Sequence, residues 1–261
     1  MRRTRYQGLA LVLISLGIAV LLWYLLAHFG GFPAFMLPTP GLVWGRLLQS
    51  LADGSLVRHS AVTLGEVLAG LALGMSAATL LGYPLAKSRA FERLLSPYIV
   101  ASQSVPVVAI APLLVRWLGP GVFSKILICA LIVFFPILVN TVVGLRSVPE
   151  ELHELMRSLQ ANRWQTMTLL EVPAALPVLL GGLRIGATLS VIGAVVGEFV
   201  GADRGLGFLI NVGRGQYDTA LVFVAIFTLV GMAMALYGLV VWMETSLLSW
   251  QLRPETNKNV S

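Results

Sequence analysis

The chain has 261 residues, of which 57% are hydrophobic and 11% charged, and its net charge is +6. A soluble domain carries roughly 25% charged residues, so this composition excludes an ordinary water-soluble fold and makes a bilayer the solvent. A single cysteine excludes a disulfide framework, and basic residues flanking apolar runs are explained by membrane topology, which leaves no case for nucleic-acid binding.

Six stretches are long and apolar enough to cross a hydrocarbon core: 9–29, 61–85, 97–118, 122–145, 179–200 and 221–242. The fold class expected is therefore all-α, polytopic. The first span follows Arg2, Arg3 and Arg5, which resembles the start of a secretory signal. Its apolar core is too long for one and no small-residue cleavage site follows, so 1–30 reads as a retained transmembrane helix.

Residues 31–60 then form an outer loop. Within it Thr39 and Pro40 read as an N-cap and first helical position, and Leu42, Val43, Leu47 and Leu51 recur at helical spacing, which predicts a short amphipathic surface helix. The remainder of the bundle occupies 61–250, interrupted by a polar loop at 147–175, and 251–261 is a tail. The third span contains Ser102, Gln103, Ser104, Pro106 and Pro112, which are tolerated where neighbouring helices or a cavity satisfy the backbone. Those three polar residues read either as lining of a water-filled path or as helix-to-helix hydrogen bonders. Cys129, inside the fourth span, reads as a small packing residue.

Glycines at four-residue spacing, Gly70 with Gly74, Gly182 with Gly186, and Gly193 with Gly197 and Gly201, allow close helix approach, either within the chain or between subunits. After the fifth span, "GADRGLGFLINVGRGQYDT" follows a helix rather than a strand and lacks a Gly-Lys-Ser/Thr ending. It reads as an outer turn with a short re-entrant or interfacial helix, not as a phosphate loop. With both termini on the cytoplasmic side, twelve of the 18 Lys and Arg residues fall inside and six outside: Arg46, Arg58, Arg116, Lys125, Arg204 and Arg214.

The polar loop is the least membrane-like part of the chain. Ser147 and Glu150 have the spacing of a capping box. Leu152, Leu155, Met156 and Leu159 then form one apolar stripe, with Glu151, Glu154, Arg157, Ser158 and Gln160 on the other faces. Asn162 suits the left-handed residue that ends a helix, and Trp164, Met167 and Leu170 resume the pattern up to Pro173. Two short helices with a bend are expected on the cytoplasmic face, packed either under the bundle or in a groove of a cytoplasmic protein.

"ELMRSLQANRWQTMTLLEVPAALP", 154–177, resembles the EAA loop of ABC importer permeases. Glu154 stands at the pattern's Glu, Ala161 at the small residue after its Gly, and Val172 with Pro173 at its closing pair. Leu155 and Met156 replace the two Ala, and Gln160 stands where Gly is usual. Gly there would permit a sharp turn, so Gln must take an ordinary conformation or leave the turn to Asn162. "LPTP" at 37–40, "LPVLLGGLRIG" at 176–186 and "GEFVGADRGLGFLI" at 197–210 are similar to the permease branch of nitrate, sulfonate, taurine and vitamin-precursor importers, and the likeness extends over about 37–250.

The resemblance implies a type I importer permease with cytoplasmic coupling helices, in a bacterial-type inner membrane. It implies a homodimer with two cytoplasmic ATPase subunits, which bind ATP and Mg, and an extracytoplasmic solute-binding protein. None of Lys87, Lys125 and Lys258 follows a glycine, so no Walker A loop is present in this chain. On that likeness Glu154, Arg157, Ser158, Gln160 and Ala161 form the ATPase-contacting surface, Leu155 and Leu159 are its apolar anchors, and Pro173 is the stop that aims the fifth span. The solute implied is a heterocyclic vitamin or precursor, riboflavin- or pyrimidine-like, on the stretch "VIGAVVGEFVGADRGLGFLI"; the alternative is a sulfonate, taurine or nitrate-type anion.

Ionisable residues inside spans are functional candidates by default. Glu198 either reaches the outer interface, or pairs with Arg204 or Arg214, or serves the outer mouth of the path. Glu66 reads as satisfied near the outer surface and Arg184 as snorkelling to the inner one. His28, His59 and His153 have no carboxylate or thiol at ligand spacing, so no metal site is expected, and no nucleophile-base constellation suggests an enzyme. An ion-coupled carrier is the rival class, but such carriers favour midplane charges and repeats, whereas no repeat is visible in this chain.

Overall fold

The computed structural model describes residues 2–248, and the tail 251–261, with Arg253 and Lys258, lies outside them. The described chain is helical throughout: α1 (Arg2–Phe29), α2 (Pro40–Ala52), α3 (Ser55–Lys87), α4 (Arg89–Gln103), α5 (Val107–Leu118), α6 (Val122–Arg146), α7 (Glu150–Ser158), α8 (Arg163–Thr166), a π turn (Met167–Glu171), α9 (Val172–Gly201), α10 (Leu206–Gly215) and α11 (Thr219–Leu247). Four continuous helical stretches, Ser55–Lys87, Val122–Arg146, Arg163–Gly201 and Thr219–Leu247, are long and apolar enough to cross a membrane. In α1 the described apolar part is Ile14–Phe29.

The expected third span is not one helix. α4 and α5 meet at a 91° bend, because Pro106 lacks an N–H and forces the preceding residue away from helical geometry. Thr39 caps α2 with Pro40 in the first turn, as the sequence predicts, and its hydroxyl accepts from the Leu42 N–H. At the α2–α3 turn, Asp53 Oδ1 accepts from the Ser55 N–H at 2.8 Å, and hydrogen bonds from Ser55 hold the Asp53 carboxyl below its ordinary value.

The axis of the bundle is α6, with α3 along one side and α9 along the other. The glycine stripes face this axis, except Gly201, which meets Val115 of α5, so their role within the chain is tight packing. A Cβ at Gly193 would lie 2.7 Å from Cys129 Cα, and one at Gly74 would lie 2.7 Å from the Ala130 carbonyl oxygen. Cys129 is fully buried between α3 and α9, its Sγ 3.3 Å from the Ser190 carbonyl, in keeping with a packing residue. α11 closes the far side of α9 and packs on α10 and α2. α1 is fastened by Trp23, which donates to the Pro38 carbonyl at 3.0 Å and stacks on Phe223.

The polar loop departs from expectation in three places. Ser147 does not cap α7. It ends α6, with its hydroxyl donating to the Gly144 carbonyl, and Pro149 stands at the N-cap instead. The left-handed residue is Gln160, at φ 55°, and not Asn162. Its N–H donates to Arg157 and the Ala161 N–H to Met156, the paired closing bonds of a Schellman end, which satisfy carbonyls that an extended Gln160 would leave open. Asn162, at φ −74°, opens the next helix in a capping box with Gln165.

Pro173 is not a stop. Residues Arg163–Gly201 run on as one helical stretch of 39 residues. The π turn, in which the Val172 N–H reaches back to the Met167 carbonyl, loosens the backbone where the proline ring would crowd the preceding turn.

Candidate functional site

The hairpin of α7, α8 and the π turn is anchored lightly. No residue of α7 is buried, and it packs sparsely on the rest of the chain. Glu154, Leu155, Arg157, Ser158, Leu159 and Gln160 are all exposed, Ala161 is half-buried, and Leu159 and Trp164 are 67% and 69% exposed. Arg157 pairs with Glu150 at 3.0 Å across two turns of the same helix. The apolar stripe of α7 therefore splits: Met156 turns toward the bundle, while Leu155 and Leu159 face away from it. Pro173, half-buried, sits in the first turn of α9 at the foot of the hairpin.

At that foot Glu171, which sequence reasoning passed over, is 3% exposed. Its carboxylate accepts from Lys87 Nζ and from Tyr83 Oη at 3.1 Å, and His153 Nε2 lies 3.4 Å away.

At the opposite end of the bundle lies a second, fully enclosed polar cluster. Glu198 is wholly buried; Thr63 Oγ1 donates to its Oε1 at 2.6 Å and the Gly207 N–H to its Oε2 at 2.5 Å. Thr63 also accepts from the Leu206 N–H, and His59 Nδ1 accepts from the Gly205 N–H at 2.9 Å. The free N–H groups that begin α10 are thus satisfied by side chains of α3 and α9, with a carboxylate at the positive end of the helix dipole. Gly205, at φ 109°, and Gly207 leave room for the Glu198 carboxylate, which a Cβ at either position would strike.

This cluster corrects three expectations. Glu198 does not pair with Arg204, which lies beside Asp203 at 3.6 Å, and no ion pair joins it to Arg214 among the described residues. Glu66 is not satisfied at a surface: it is 1% exposed, 3.6 Å from Lys125 Nζ. Lys125, counted by sequence as a loop cation, is 2% exposed and lies inside the bundle. Two carboxylates and one ammonium group are thus enclosed together. Arg184 does not snorkel freely either; it pairs with Glu244 of α11 and lies over the Tyr237 ring at 5.5 Å.

Ser102, Gln103 and Ser104 lie at the α4–α5 bend and are exposed on this chain. The Ser102 and Ser104 hydroxyls donate to Ile99 and Val100 of their own helix rather than to a neighbour. With Pro106, Leu131 and Phe135, Ser102 and Gln103 line a cavity of about 400 Å³. No trio of His, Cys, Asp and Glu side chains converges to hold a metal among the described residues.

The described residues thus form an all-helical bundle with a lightly held polar hairpin at one end. Residues 70–248 match the family described as binding-protein-dependent transport system inner membrane component. The chain belongs to this family. The permease is 47% identical over 248 residues to the riboflavin transport system permease protein RibX of Chloroflexus aurantiacus, covering 95% of this chain and 92% of that one. It is 37% identical over 246 residues to the formylaminopyrimidine transport permease protein ThiX of Halalkalibacterium halodurans (94% and 97%). It is 32% identical to the taurine transport system permease protein TauC of Escherichia coli, covering 86% of each. In fold the permease is similar to a chain of the MetNI methionine ABC transporter in an inward-facing conformation, with a TM-score of 0.64 at 21% identity over 74% of this chain and 95% of that one.

Membership makes the permease an inner-membrane part of an ABC importer, and the family implies ATPase and binding-protein partners for it. Two residues of structural weight, Lys125 and Glu171, were absent from the sequence-based candidates. Lys125 carried a signal, because a lysine one turn into a span calls for a counter-ion and Glu66 and Glu198 stand near the same ends of their spans. Glu171 carried less, since one Glu in a polar loop looks like solvated surface.

Proposed function

We propose that this chain is the non-catalytic, path-forming subunit of an ATP-driven importer and works as a homodimer with two cytoplasmic ATPase subunits. An extracytoplasmic binding protein delivers the solute. ATP and Mg belong to the ATPase, and both chain termini face the cytoplasm, on the same side as the α7–α8 hairpin. The observation that carries this reading is the hairpin itself: it leaves Leu155, Leu159 and Trp164 exposed while its foot is fixed to the spans by a buried carboxylate. Exposed apolar side chains on a short helix suit a groove in a partner protein. Glu154, Arg157, Ser158, Gln160 and Ala161 complete that surface.

The solute we infer is a heterocyclic vitamin or vitamin precursor of the flavin or pyrimidine kind. Support comes from the relatives named for riboflavin and formylaminopyrimidine, which are more similar to this chain than the relative named for taurine. A small sulfonate-type anion is the second reading. Ser102, Gln103 and Ser104, at the broken helix, are the groups we assign to the solute path, with Glu198 behind its outer end as a buried fixture rather than an exposed mouth residue.

The test is to reconstitute the chain in lipid with the ATPase and the secreted binding protein encoded beside it, and to measure ATP hydrolysis and uptake across riboflavin, pyrimidine precursors and taurine. Stimulation by binding protein loaded with a flavin or pyrimidine supports both parts of the reading. Stimulation by taurine alone removes the vitamin assignment. An ATPase that neither associates with the chain nor responds to it removes the coupling assignment and leaves an ion-driven carrier to be tested.

A further inference from the structure

We propose that Glu171 is the positioning residue that makes the hairpin move with α3 and α9 as one body, so that it transmits the ATPase stroke without touching the ATPase. The inference rests on the reading of the hairpin as the ATPase contact.

Glu171 is the last residue of the π turn and is buried although the hairpin before it is mostly exposed. A π turn holds one residue more than an α turn, which rotates the helix preceding it by roughly 100° relative to the helix following it. One carboxylate thereby meets three elements at once. It belongs to the foot of α9, it accepts from Tyr83 and Lys87 on successive turns of the inner end of α3, and it faces His153 of α7. His153 is held in place through Nδ1, 3.3 Å from the Pro149 carbonyl, and its Nε2 contact becomes an ion pair when the ring carries both protons.

Around these contacts the hairpin and α3 enclose a cavity of about 420 Å³, lined also by Arg157, Ala161 and Thr166. α7 buries no side chain, and across that gap the Glu171 carboxylate reaches it through His153 while holding Tyr83 and Lys87 of α3. A displaced α7 pulls on α3 only if the bridge holds. Without it, the hairpin hinges at the π turn and the force is lost.

The experiment compares wild type, Glu171→Gln, and a second variant on the α3 side, Tyr83→Phe with Lys87→Met, each reconstituted with the ATPase and binding protein. Copurification of the ATPase and the number of ATP hydrolysed per solute imported are both measured. The expected result is an ATPase that still copurifies, with ATP hydrolysed per solute raised roughly tenfold, within the range of coupling between distant sites. A general loss of folded protein lowers hydrolysis and import together and leaves their ratio unchanged, so the ratio separates transmission from stability. A wild-type ratio in both variants overturns the proposal. So does loss of ATPase copurification in both, which would make Glu171 a builder of the docking surface. Failure of the wild-type chain to bind the ATPase condemns the hairpin reading itself, before any variant is made.

Discussion

The two polar regions of this permease use charged residues in opposite ways. The hairpin keeps Glu150, Glu154 and Arg157 exposed, and its structure is specified by neighbours in sequence: a Schellman end at Gln160, a capping box at Asn162, a stripe of leucines. The Glu66, Lys125 and Glu198 cluster is sealed inside the bundle, and its partners come from three helices far apart in the chain. Exposed charges in the hairpin add little stability and remain free to meet a partner. The enclosed ones are costly to leave unpaired, so they fix how α3, α6, α9 and α10 fit together.

The largest effect is expected where that enclosure is broken. Lys125→Met removes the cation beside Glu66 and leaves the buried carboxyl groups of Glu66 and Glu198 without it. Removing one partner of a buried pair costs about 3–5 kcal/mol, so the variant should melt well below wild type in detergent or fail to accumulate. A Lys125→Met protein with wild-type melting would mean that the cluster is wetter or more adaptable than its burial indicates.

The next effect is steric. Gly193→Ala places a Cβ 2.7 Å from Cys129 Cα, a backbone atom that cannot swing aside. Forcing α6 and α9 apart should cost about 1–3 kcal/mol, readable as a lower melting temperature. The same change at Gly181, where a Cβ meets nothing within 4 Å, is the control and should be close to neutral.

This contrast also explains what could be read from the sequence. Thr39 with Pro40 and the apolar runs of α3, α6, α9 and α11 are local patterns, and local patterns decide helix starts and faces. Lys125 was misplaced because its partner lies on another helix, and only the packed bundle shows that the two share a depth. Gln160 was misassigned because residue preference for the left-handed region favours Asn162, whereas the two closing hydrogen bonds fix the turn two residues earlier. Pro173 looked like an end because the widened turn that accommodates it leaves no residue signature.

A smaller effect, of opposite sign, is expected at that turn. Gln160 holds φ 55° against the steric preference of an L-residue, a strain of about 1–2 kcal/mol that glycine avoids, although glycine gives back about 0.5–1 kcal/mol in chain entropy. Gln160→Gly should therefore stabilise the hairpin by up to about 1 kcal/mol. Because α7 buries nothing, the gain should register locally, as slower hydrogen exchange at the Gln160→Gly and Ala161 amides, rather than in the global melting temperature. Faster exchange at Ala161 would show that the Gln160 side chain contributes more than its backbone strain costs.

The smallest stability effect should fall on Glu154→Arg, and there the two regions part most clearly. Glu154 is exposed on α7, so replacing it should change stability by no more than about 0.5 kcal/mol. It also lies on the surface assigned to the ATPase, where a reversed charge meets whatever group the partner presents, and like charges brought together at an interface cost several kcal/mol. The expected outcome is a permease that melts like wild type yet loses its ATPase during purification. Lys125→Met should show the reverse pattern in whatever fraction folds: poor stability, with the hairpin surface intact and still able to hold the ATPase. If Glu154→Arg instead keeps both its ATPase and its transport, α7 does not contact the partner through this face, and the exposed Leu159 and Trp164 would become the place to look for the contact.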